Sequence, residues 1–147
     1  KPDITADVFN LPEEVRDVEM AYLGHFLEHI PEDKVEAALR AIKDRMVTGG
    51  NICIVGPDVN KASEMYKAGA LSKPELMATM KSPDDRTPEW AGDTHHWNCT
   101  EERVIDFLDA ADFTGVTPVP IASMALNPYP VTARSAWQCA VIGYKLV

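Results

Sequence analysis

Basic residues are in short supply in this sequence. Fourteen Lys and Arg face twenty-three Asp and Glu, giving a net charge of −9. That balance argues against a nucleic-acid backbone or an anionic membrane as the main partner, because both need a basic surface. Long apolar runs are missing too: none approaches the length of a membrane span, and no signal-peptide layout opens the chain. There are three cysteines, Cys53, Cys99 and Cys139, and no C-x-x-C pair. Two of them sit in apolar strand-like runs, so they read as reduced core thiols of a cytoplasmic protein. No G-x-G occurs anywhere, nor any internal repeat or low-complexity stretch.

What is present is ordinary for a globular domain: 147 residues, 46% apolar and 25% charged, enough for one modest core. Ile4 to Val8 is short and apolar and closes at Asn10 and Pro12, which predicts a strand. Val18 to Gly24 predicts a second. Pro31, Glu32 and Asp33 open a helix, with proline in the first turn and acids at the positive end. Val35, Ala38, Leu39, Ile42 and Met46 follow at helical spacing, and Gly49-Gly50 is the expected stop. Asn51 to Val55 is a continuous apolar run, as in a strand covered on both faces. A helix is expected over Asn60 to Lys67, another from Ser72, whose spacing to Glu75 is that of a capping box, and a third from Thr100 through Ala111. Two strand-like runs, Gly115 to Ala122 and Ala136 to Leu146, close the chain. Strands alternating with helices predict an α/β layer fold with a mostly parallel sheet and a C-terminal antiparallel pair.

The string HFLEH, residues 25 to 29, fits the inverted zinc-protease pattern H-x-x-E-H. A zinc site of that kind needs His25 and His29 one helical turn apart. A strand runs up to Gly24, and Pro31 disfavours helix just before it, so the metalloprotease reading fails. No metal ligand is assigned from the sequence, although His95, His96 and Cys99 offer ligand chemistry without a spaced partner pair.

Several segments, taken in order, resemble class I S-adenosylmethionine-dependent methyltransferases. ADVFNLP (6–12) resembles the family's third strand with its acidic end, and AYLGHFLEHI (21–30) its fourth strand and following turn. VEAALRAIKDRMVTGGNICIVGPD (35–58) resembles the next helix, glycine pair and fifth strand. DTHHWNCTEERVIDFLDAADF (93–113) resembles the late histidine-tryptophan segment and the helix before the last two strands. Asp112 stands where members often have glycine. The family's glycine-rich cofactor loop and ribose-binding acid have no counterpart here. The resemblance thus implies a Rossmann-like methyltransferase sheet in a single domain, residues 1–147, that begins after the second strand and lacks the first strands.

The resemblance also implies roles. Asp7 would accept from the adenine amino group of S-adenosylmethionine, and the amide of Val8 would meet the ring nitrogen; a plain turn cap is the other reading of Asp7. Leu23, Gly24 and His25 would leave the sheet beside the methionine part, with Gly24 letting backbone approach. Glu28 and His29 read as structural, fixing the turn by hydrogen bonds. Asp93, His95 and His96 share a loop with Trp90 and Trp97. A neutral histidine there could take the acceptor's proton near pH 7, with the tryptophans walling an acceptor pocket; the same cluster could equally pin the loop. The implied function is methyl transfer to a small-molecule or saccharide-like acceptor. The alternative is a non-catalytic methyltransferase-like binding or assembly module.

Overall fold

The computed structural model describes residues 3–82, 94–126 and 136–147. Four strands form one sheet: β1 (Val18–Gly24), β2 (Met46–Pro57), β3 (Thr114–Val119) and β4 (Gln138–Tyr144), in the order β1-β2-β4-β3. Among the described residues four α-helices accompany them: α1 (Val35–Asp44), α2 (Val59–Lys67), α3 (Lys73–Thr79) and α4 (Glu101–Ala110). The α/β architecture is the expected one. The mostly parallel sheet is not: β1 and β2 run parallel, but β4 is antiparallel to both β2 and β3. An apolar period marks a strand's faces without marking its direction. Here β4 inserts between β2 and β3 and reverses both remaining ladders.

The local signals are physically sound. In α1 the stripe Val35, Ala38 and Leu39 is fully buried, with Ile42 packed beside it. Ser72 caps α3 through a complete capping box with Glu75, and Thr100 accepts from the Arg103 amide to cap α4. The apolar run Asn51–Val55 lies mid-sheet in β2. Its Ile52 and Ile54 join the larger core under α1 and α4, while Cys53 and Val55 face the other side with Ala140.

Two expectations are corrected. Ile4–Val8 forms no strand: these residues lead into a 3-10 turn, Val8–Asn10, that packs on α1, and Ile4 is 44% exposed. Extended backbone becomes a strand only with a ladder partner. The outer edge of β1 and residues 3–7 do not meet, so that edge has no partner among the described residues. The glycine pair does not stop α1 either. The helix ends at Asp44, and Met46 already pairs with Val18 in β2. Gly49 (φ 85°) and Gly50 sit inside the strand at a register shift. A Cβ on Gly50 would come within 3.1 Å of the Val18 and Glu19 carbonyls, so only glycine lets β1 approach there.

Candidate functional site

The site grows from the end of β1. Leu23 and Gly24 pair with Ile54 and Val55, and the His25 amide donates to the Val55 carbonyl at 2.8 Å. His25 then adopts a left-handed conformation, φ 50°, rare for a residue with a Cβ. A 3-10 turn, Leu27–His29, follows and ends where Pro31 forbids helix. This confirms that His25 and His29 share no helical face. The tight turn drives Leu27 and Glu28 inward, each 1% exposed.

Across from this turn, the segment before α4 closes over it. The buried Trp97 indole donates to the carbonyls of Leu27 (3.2 Å) and Ile30 (3.1 Å), and the His96 amide donates to the Glu28 carbonyl (2.8 Å). Arg103 lies over the Trp97 ring, 4.8 Å from its centroid. Trp97 is therefore a core pin, because its N–H is consumed by the turn and its ring by α4; it walls no acceptor pocket. His95 sits against His29, ring centroids 4.9 Å apart. Burial pushes the His95 imidazole below its ordinary value, favouring the neutral form.

Glu28 was expected to fix the turn by hydrogen bonds. It does not: neither buried carboxylate oxygen has a hydrogen bond among the described residues. His25 Nδ1 lies 3.3 Å from Glu28 Oε1, outside good hydrogen-bond alignment, and His29 Nε2 lies 3.9 Å from the same oxygen. His29 does fix the fold, its Nδ1 reaching the Thr94 carbonyl at 3.2 Å. Gly56 makes room for this group: a Cβ there would come within 3.2 Å of Cys99 Sγ and 3.7 Å of Glu28 Oε2. The His25 ring itself turns away from the edge of β1 and pairs through Nε2 with Gln138 Nε2.

On the opposite side of β1, along its open edge, lies a cavity of about 590 Å³. Val8, Leu23 and Gly24 all line it, with Ala6, Phe26 and Ile42. Three of the expected cofactor residues thus lie on its largely apolar wall, beside the edge of β1 left unpaired among the described residues. Asp7 stands at the exposed end of this segment and caps the 3-10 turn, accepting from the Phe9 amide at 2.9 Å. His25 is not on that wall, because its left-handed turn carries the ring toward Gln138. Asp93 and Trp90 lie outside the described residues. The cysteines are buried and free, and burial pushes the Cys53 thiol up to about 12.

Asp58, missed in the sequence, ties the end of β2 to two helices. Its buried carboxylate accepts from the amides of Asn60, Lys61 and Glu101. Its place just after Pro57 and before a helical run is the usual N-cap signal.

No protein-family model matches the chain, and no curated protein matches it in sequence. Solved structures do match. A Nostoc punctiforme PCC 73102 protein described as an O-methyltransferase superposes with a TM-score of 0.55 at 18% identity, over 97% of this chain and 35% of that one. Human N-acetylserotonin methyltransferase, solved with S-adenosylmethionine, gives 0.54 at 15% identity, over 97% and 33%. The small RNA methyltransferase HEN1 gives 0.57 at 10% identity, over 95% and 15%. At these identities the likeness is one of fold. The fold is like that of these methyltransferases, and the chain spans about a third of the length of the first two structures.

Proposed function

We propose that this chain is part of an S-adenosylmethionine-dependent methyltransferase acting on a small-molecule or saccharide-like acceptor. The observation that carries the reading is the methyltransferase-like fold over 97% of the chain, with Val8, Leu23 and Gly24 lining one cavity. The cavity fits the group chemically. Its apolar side suits an adenine face, Gly24 lets backbone approach at the end of a strand, and Asp7, next in sequence to the lining residues Ala6 and Val8, would accept from an exocyclic amine. When bound, the cofactor supplies an electrophilic sulfonium methyl group. The chain's own task is to hold the acceptor in line, exclude water and take up the acceptor's proton. His96 is assigned that last role, because His95 is turned toward Glu28 and His29. The charge of −9 favours an acceptor other than nucleic acid.

Calorimetry with S-adenosylhomocysteine tests the cofactor assignment. Residues 1–147 contain no G-x-G and should bind weakly, whereas a chain that also carries such a loop should bind well and depend on Asp7. Asp7→Ala should then weaken binding roughly tenfold or more by removing the adenine's partner. If it lowers the thermal midpoint and leaves affinity unchanged, Asp7 is only the cap of its turn. His96→Ala should lower turnover with cofactor affinity nearly constant, the signature of a group acting in the transition state.

A further inference from the structure

Glu28 poses a problem that the methyl-transfer reading does not use. A carboxylate that is 1% exposed, with both oxygens lacking a hydrogen bond among the described residues, is costly unless a cation accompanies it. The surrounding hydrogen bonds show what faces it. The Thr94 carbonyl can only accept, so the His29 nitrogen it meets, Nδ1, carries the proton. In the neutral ring His29 Nε2 is then a lone pair, 3.9 Å from Glu28 Oε1. In that form two acceptors face each other beside a buried carboxylate.

His95 completes the arrangement. One ligand atom each from Glu28, His29 and His95 lies within 4.8 Å of the others. The Thr94 carbonyl holds the His29 ring through Nδ1. Histidines that bind metals characteristically give their second ring nitrogen to such a partner, which fixes tautomer and orientation. His25 plays a different part. Its Nε2 is engaged with Gln138, and its Nδ1 lies 3.3 Å from Glu28 Oε1 without hydrogen-bond alignment.

We propose that Glu28, His29 and His95 form a binding site for a divalent first-row transition metal ion, with Zn²⁺ the best match to two imidazoles and one carboxylate. Three protein ligands leave a fourth position open. Ligand atoms on one zinc ion bond at about 2.0–2.2 Å and so sit roughly 3.5 Å apart. The side chains reach that spacing by small rotations that draw in the two histidines. The metal would clasp the turn after β1 to the segment before α4, joining residues 28 and 95. The inference is independent of the methyl-transfer reading and survives its failure.

Zinc titration of the metal-stripped protein, by calorimetry and by thermal melting, is the test. One equivalent should bind saturably and raise the melting midpoint. His29→Ala and His95→Ala should each weaken binding at least about tenfold, and Glu28→Gln should do the same. Circular dichroism on the metal-free variants confirms that they are folded; if Glu28→Gln is not, the histidine variants still decide. Cobalt substitution adds a second readout: visible d–d bands with no sulfur-to-metal charge-transfer band. Absence of saturable binding overturns the site, and so does binding that both histidine variants leave intact. A sulfur band would put Cys99 in the shell and overturn the ligand set.

Discussion

The two faces of the sheet are built very differently. Under α1 and α4, strand residues Leu23, Ile52, Ile54 and Val141 merge with Trp97, Leu108 and Phe113 into one continuous core. On the other face the buried apolar cluster is the smaller set Cys53, Val55 and Ala140, and Tyr22, Val119, Ile121 and Ile142 pack against it half-covered. Neighbouring residues of one strand therefore live in unequal surroundings. Stability should reside on the helix-covered face, and the thinner face should be the first to yield.

The largest test of that asymmetry is Trp97→Ala. It empties the thick core, removes the indole donor from the Leu27 and Ile30 carbonyls and should cost about 3–5 kcal/mol in urea unfolding. Ile54→Ala and Val55→Ala then compare the faces directly at adjacent positions. The first should cost about 3–4 kcal/mol and the second about 1–2, since a thinly covered site collapses more easily. Equal losses per removed methyl group would show the faces to be equally packed.

Smaller effects sharpen the picture outside the sheet. Ser72→Ala removes the α3 cap and should cost about 1 kcal/mol. Ser72 also holds the Glu75 carboxyl below its ordinary value of 4.5. The folded form is therefore favoured above that pH, and the contribution fades as pH falls through the lowered value. In the Ser72→Ala variant the acid limb of the stability profile should flatten slightly. Smallest of all should be Asp112→Gly. Asp112 holds φ 59°, where glycine is unstrained, but its carboxylate pairs with Arg40 at 2.6 Å. Relief of one offsets loss of the other, so the melting midpoint should scarcely move. A clear drop would make the ion pair the stronger term.

Features set by neighbours in sequence were legible before any coordinates. The α1 stripe, the Ser72 box and the Thr100 cap depend on spacings of three or four residues, and all three are present. The glycine-like position of Asp112 came from the family resemblance and not from local spacing; its left-handed φ of 59° agrees with it. Ile4–Val8 misled because a strand is made by its partner, and no described residue pairs with it. The direction of β4 was hidden because alternation is the same read either way. Most hidden was Glu28. Its burial depends on Gly56, Thr94 and His95 closing over it, contacts separated by 28 to 67 positions in the chain. The HFLEH string correctly failed as a helical motif, yet two of its residues meet a histidine that no local pattern could supply.

The three free cysteines carry one more consequence. Cys53 belongs to the thin face, while Cys99 and Cys139 lie in the thick core. As buried thiols they react with a disulfide reagent only when the fold around them opens. The chain therefore holds its own chemical reporters, one for each side. Under native conditions Cys53 should be labelled first. The interval before the other two react would measure how far the thin face can breathe while the thick core stays shut.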